Sequence, residues 1–181
     1  MTSEAALLDD ARAGDVDAFE VLVRRYDDRM RALAYRMLGS RAAMDDVLQD
    51  AYVKAFRSIA GFRGDARFST WLHRIVATTC IDHVRRQERR AEDELPDEPV
   101  PARGGLVDAS ADVAVRRLDL RRALEHLDPD HRAALLLVDG EGLSYDEAGS
   151  VLGIPAGTVS SRLSRARATM RGLLDVREDD R

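Results

Sequence analysis

Arginines set at helical spacing, with hydroxyls between them, give this chain its clearest chemical signature. Arg162, Arg165 and Arg167 share one short segment with Thr158, Ser160 and Ser161. Guanidinium groups donate in a rigid fork that suits phosphate and the edge of guanine. A second set, Arg74, Arg85, Arg86, Arg89 and Arg90, lies on or beyond one long helix, where phosphate contact with counterion release is the natural chemistry. Asp45, Asp46, Gln49 and Asp50 form an acidic helix face, which by charge pattern alone is a solvated surface. His73, Cys80 and His83 are spaced by seven and three and could share a helix face that holds a metal or senses redox state. Three scattered ligands without acidic support more often mark packing positions, so no metal or cofactor is expected. No phosphate loop, nucleophile elbow or paired-carboxylate pocket is present, which argues against an enzyme and against a small-molecule substrate.

The elements that position these residues follow from composition and periodicity. The chain has 181 residues, 45% hydrophobic and 34% charged, enough to bury a core. No apolar run approaches the roughly 20 residues that span a bilayer, and Met1-Thr2-Ser3-Glu4 lacks the features of a signal peptide, so a cytoplasmic protein without membrane insertion is expected. Cys80 has no second cysteine to pair with. The net charge of -5 conceals an uneven distribution: residues 57 to 90 hold eight Arg against three acids, and residues 155 to 177 hold five Arg against one. Between these blocks, residues 91 to 112 carry seven acids and one Arg, with Pro96, Pro99, Pro101, Gly104 and Gly105. That composition predicts an exposed, flexible linker between two domains, each with a basic face.

Periodicity is helical throughout, and an all-α fold of two helical domains is expected. Phe19, Leu22, Val23, Tyr26, Met30, Leu33 and Met37 make one apolar stripe, which predicts a single long helix ended by Gly39. A second helix carries Met44, Val47, Leu48, Ala51, Tyr52, Phe56 and Ile59 and ends at Gly61. After the loop from Phe62 to Phe68, Ser69 is placed to cap a helix running through Trp71, Leu72, Ile75 and Val76 towards Arg90. In the second half Leu120, Leu124 and Leu127 line one helix, and Asp128-Pro129 starts the next, which the Leu135-Leu136-Leu137-Val138 run continues. Ser144 to Glu147 has capping-box spacing. Gly149, Gly153 and Val159 stand at the offsets of a helix-turn-helix: close helix approach, tight turn, and an anchor for a second helix that enters the major groove.

Three motifs together resemble the extracytoplasmic-function (ECF) sigma factors of the sigma-70 family. They are Asp45-Asp46-Val47-Leu48-Gln49-Asp50-Ala51-Tyr52, Phe68-Ser69-Thr70-Trp71-Leu72-His73-Arg74-Ile75-Val76, and Gly157-Thr158-Val159-Ser160-Ser161-Arg162-Leu163-Ser164-Arg165-Ala166-Arg167. The resemblance implies a region 2 domain at residues 5-92, a linker at 93-112 and a region 4 domain at 113-176. It implies binding to core RNA polymerase, with Asp45, Asp46, Gln49 and Asp50 docking on the beta-prime clamp helices and a further contact at the beta flap. An anti-sigma factor is also implied as partner. The loop with Phe62, Arg63, Asp65, Arg67 and Phe68, followed by Ser69, Trp71, Arg74, Arg85 and Arg86, matches the segment that takes up the -10 promoter strand. Phe62 and Phe68 are equally explained as core aromatics of an interhelical turn. Thr158, Ser160, Ser161, Arg162, Arg165 and Arg167 match the -35 reading helix. Two departures stand out: Leu72 follows Trp71 where housekeeping relatives have adjacent aromatics, and Ser160 replaces a common Arg or Lys. A stand-alone helix-turn-helix regulator is the alternative reading.

Overall fold

The computed structural model describes residues 3-93 and 111-178. Among these residues every regular element is helical. The acidic connector expected as a flexible linker falls almost wholly outside them.

The first half is built from α1 (Glu4–Arg12), α2 (Val16–Arg24), α3 (Asp27–Leu38), α4 (Arg41–Ser58), a 3-10 turn (Ile59–Gly61) and α5 (Phe68–Asp93). Short polar residues start three of these helices by accepting backbone N–H groups that have no partner within the helix: Ser3 for α1, Asp15 for α2 and Ser40 for α4. The single long helix expected from Phe19 to Met37 is instead two. Arg25 and Tyr26 bond back to Leu22 and Val23, tightening the end of α2, and the Tyr26 carbonyl then accepts from Met30 to begin α3. The Tyr26 side chain holds the break in place. Its hydroxyl donates to Glu4 at 2.7 Å and its ring lies 5.6 Å from that of Phe68. Both helices still turn the same stripe inward, so Phe19, Leu22, Val23, Met30, Leu33 and Met37 are all buried. Gly39 closes α3 in the left-handed conformation at φ 69°, as expected of a glycine cap. Ser69 is not the cap of α5, which begins one residue earlier; its carbonyl accepts from His73 Nδ1 at 2.7 Å.

The second half contains α6 (Ala111–Glu125), α7 (Pro129–Leu135), a π-helical turn (Leu136–Gly140), α8 (Tyr145–Leu152) and α9 (Ala156–Glu178). Asp128 caps α7 by accepting from Asp130 and His131, with Pro129 at the first helical position. The Leu135–Val138 run does not extend α7 as a regular helix. It widens into the π turn, where Glu141 N–H bonds to the Leu136 carbonyl while Leu136 and Leu137 stay buried. Leu124 and Leu127 pack inward, but Leu120 is 47% exposed and does not share their face.

The two halves touch. α5 packs on α7 and α8, and α3 packs on α6 and the π turn. The sequence treats the halves as separate bundles, because the groups that join them are distant in the chain. Arg132 is the clearest of these: buried in α7, it donates to the Met37 carbonyl at the end of α3, and to the Glu125 and Leu127 carbonyls at 2.9 and 3.0 Å. One guanidinium thus satisfies carbonyls left over at two helix ends.

Candidate nucleic-acid interface

The helix-turn-helix is assembled from local signals. Ser144 and Glu147 close a reciprocal capping box at the start of α8. Those bonds to the Ser144 backbone and hydroxyl hold the Glu147 carboxyl below its ordinary value. A Cβ at Gly149 would lie 2.7 Å from the Ile154 carbonyl oxygen, so only glycine lets the turn approach so closely. Gly153 makes the turn at φ 68°. Val159 is fully buried and, with Leu163, Ala166 and Met170, fixes the inner face of α9. Ser160, Ser161 and Arg165 are left on the outer face, with Thr158 half-buried beside them. Arg162 and Arg167 are already engaged within the protein. Arg162 lies 3.5 Å from Asp130, and Arg167 grips Asp139 with two bonds of 2.6 and 3.0 Å.

A second surface lies where the 3-10 turn meets α5. Phe62, Phe68 and Trp71 form an aromatic cluster with ring centroids 5.2 to 6.1 Å apart. Phe62 and Phe68 are buried and Trp71 is half-buried, so the two phenylalanines serve as walls. Beside them opens a cleft of about 340 Å³, lined by Phe62, Arg63, Asp65, Thr70, Trp71 and Arg74 among others. Arg63, Asp65 and Arg67 are exposed on the loop, Ser69 is half-buried, and Arg74, Arg85 and Arg86 are exposed along α5. This arrangement offers phosphate-binding guanidiniums around a recess with aromatic sides. Sequence reasoning did not find Arg12. From α1 it donates to the Phe62 carbonyl and lies 5.4 Å over the Phe62 ring.

Asp45, Asp46, Gln49 and Asp50 are all exposed on α4. Arg31 joins Asp45 to Asp27 by bonds of 2.9 and 2.7 Å, tying this face to α3. An apolar groove borders it, formed by Val16, Phe19, Leu48, Tyr52, Val53 and Phe56.

His73, Cys80 and His83 do not converge. No group of three metal-binding side chains comes together among the described residues. Cys80 is fully buried, and burial pushes its thiol up to about 12, which keeps it protonated and unreactive. His73 points instead to the second half, where its Nε2 lies 3.6 Å from Glu141. That contact is the main reason the Glu141 carboxyl is held below the ordinary range, with Arg36 at 3.9 Å adding to it.

Among the described residues the chain thus combines a helix-turn-helix in one half with a basic aromatic cleft in the other. Sigma-70 region 2 matches residues 22–90 and Sigma-70, region 4 matches residues 117–170. The chain is 39% identical over 173 residues to the ECF RNA polymerase sigma factor SigM of Mycobacterium tuberculosis, covering 95% of this chain and 85% of that protein. It is 38% identical to the ECF RNA polymerase sigma factor SigE of Mycolicibacterium smegmatis over 87% of this chain, and spans 62% of that protein's length. The sigma factor RpoE of Bartonella quintana, solved in complex with the anti-sigma factor NepR, superposes with a TM-score of 0.67 at 26% identity, covering 89% of this chain and 99% of that one. The protein belongs to the ECF sigma factors of the sigma-70 family. No described helix is long and apolar enough to cross a membrane.

Proposed function

We propose that this chain binds core RNA polymerase and directs promoter-specific initiation, with residues 5-92 serving polymerase and the -10 strand and residues 113-176 the -35 duplex. It performs no covalent chemistry of its own. The observation that carries this reading is the exposed outer face of α9, where Ser160, Ser161 and Arg165 are presented by a helix anchored at Val159 and Gly149. Arg165 is the base-reading group on that face, while Thr158 and Ser160 supply hydroxyl contacts. Arg63, Arg67 and Arg74 hold phosphates around the aromatic cleft, into which an unstacked base of the opened strand fits. Asp46, Gln49 and Asp50 dock on the polymerase clamp, and the apolar groove beside them widens that contact. An anti-sigma factor, the kind of protein with which the Bartonella quintana relative was solved, is a further partner.

The test is promoter opening in the presence and absence of core polymerase. Permanganate reactivity of -10 thymines should appear only with both components. Changing Arg63 and Arg67 together to alanine should lower it more than -35 protection. Arg165→Ala should relax recognition at one -35 position by roughly 1 to 3 kcal/mol. Tight, specific footprinting by the isolated chain, with no opening when core is added, would instead identify a stand-alone regulator.

A further inference from the structure

Asp27 stands in the first turn of α3, where a carboxylate is favoured by the helix N–H groups, and its two oxygens serve different neighbours. Oδ1 accepts from the Tyr52 hydroxyl of α4 at 2.7 Å, and Oδ2 accepts from Arg31 Nε, one turn further along α3, at 2.7 Å. Arg31 then donates from Nη1 to Asp45 of α4 at 2.9 Å. The line of bonds therefore leaves α4 at Tyr52 and returns to it at Asp45, about two helical turns away.

These groups border the surface assigned to polymerase. Arg31, Asp45 and Tyr52 line the apolar groove on α4 together with Gln49 of the acidic face. Tyr52 is half-buried, and burial followed by the bond to Asp27 holds its hydroxyl above its ordinary value, so it stays a donor. The bond to Asp27 is also the main reason the Arg31 guanidinium is held above its own, with Asp45 second. Adhesion of α3 to α4 does not depend on this network. Met30 and Leu33 of α3 and Met44 and Val47 of α4 are buried in the shared core. The Arg31 and Asp45 side chains are 46% and 60% exposed, and ion pairs so exposed add little to stability. What the network does is hold side chains at the surface in one arrangement.

We infer that Asp27 is the positioning residue of the polymerase-docking face: from α3 it fixes Tyr52 and, through Arg31, Asp45, so that the apolar groove and the acidic residues of α4 are set before polymerase arrives. Asp27 acts through these side chains and needs no contact with polymerase itself. Side chains already held in the free protein lose less freedom on binding than mobile ones, which is how such a residue raises affinity. The inference rests on the proposed docking of Asp46, Gln49 and Asp50.

The test uses the full chain and core RNA polymerase. Asp27→Ala removes both acceptors and should weaken equilibrium binding to core about fivefold, while permanganate reactivity at saturating core equals that of wild type. Tyr52→Phe removes only the hydroxyl and should weaken binding about twofold, yet add nothing to Asp27→Ala, because its bond is already gone. Asp27→Asn, which keeps the shape and one acceptor oxygen, should fall between wild type and Asp27→Ala. A merely structural role would lower opening and affinity together and would not give this non-additive pair. Wild-type affinity in Asp27→Ala, alongside weakened binding by the double change Asp46→Lys with Asp50→Lys, would overturn the positioning role and leave the docking face standing. Effects of Asp27→Ala and Tyr52→Phe that multiply would overturn it too, as would a loss of opening that saturating core does not restore. Unchanged binding by Asp46→Lys with Asp50→Lys would strike the docking face, and the inference with it.

Discussion

Arg12 makes three contacts that together fix one end of the loop proposed to receive the -10 strand: the Phe62 carbonyl, the face of the Phe62 ring, and Asp9 at 3.3 Å. A loop that must receive a base works best when its backbone is already in place. Arg12→Ala should lower permanganate reactivity at -10 thymines several-fold while leaving -35 protection unchanged, at a stability cost of roughly 1 to 2 kcal/mol. Arg12→Lys, which keeps the charge over the ring, should restore part of the opening. Equal loss at both promoter elements would show general unfolding instead. Arg12 also shows where reading the sequence stops. Gly149, Gly153, Val159 and Ser144 announce themselves because each acts on neighbours within a turn or two. Arg12 and Phe62 are 50 residues apart, and Arg132 and Met37 are 95 apart. In both pairs the acceptor is a backbone carbonyl, a group every residue carries, so nothing in the side-chain pattern singles it out.

Among the elements, α8 and α9 obey opposite rules for glycine. Alanine generally favours a helix over glycine by up to about 1 kcal/mol. At Gly149 that gain is lost to a backbone oxygen 2.7 Å from the new Cβ, so Gly149→Ala should destabilise the second half by roughly 1 to 2 kcal/mol. Gly172 on α9 has nothing within 4 Å of the same position, and Gly172→Ala should be stabilising by about 0.5 to 1 kcal/mol. Paired thermal melts check both, and a neutral Gly149→Ala would show that the turn can retreat. Helix content and the inward stripes were legible because 3.6-residue periodicity survives in the sequence. Boundaries were less so: the stripe through Tyr26 stays in phase across the α2–α3 break, so periodicity alone cannot reveal it. The π turn is hidden for a related reason, since Leu136 and Leu137 would be buried in either winding.

At the scale of the whole molecule the seam between the halves depends on charge. Glu141 is held below its usual value of 4.5, first by His73 and then, against the opposing effect of burial, by Arg36 and Arg29. A depressed carboxyl contributes stability that is fully present above its unfolded value and is lost as pH falls through its folded one. Its contribution to the contact between the halves is therefore present above the ordinary carboxyl value and is lost as pH falls through the lowered folded one. Acid titration followed by the fluorescence of Trp71, which lines a cleft bordered by Ser150 of α8, should show the halves loosening as pH falls through the folded value of Glu141, with a weaker dependence in Glu141→Gln. Identical curves would place the acid-sensitive group elsewhere. None of this seam was legible in advance, because it joins surfaces that the sequence presents as independently solvated.

Arg132 and Asp130, almost adjacent on α7, would fare differently if whole halves were exchanged between related proteins. Arg132 meets the first half at a main-chain carbonyl. Any donor that keeps the end of α3 in place would satisfy it, whatever residues it carries there. Asp130 and Glu141 meet side chains, Arg85, His73 and Arg36, and a foreign first half need not supply them. Hybrids would then retain the scaffold contact and lose the charged ones, giving chains whose halves meet through fewer specific contacts. Modularity in this architecture has a hidden seam: a transplanted second half brings its own helix-turn-helix with it, while the side chains that met its acids stay behind with the original first half.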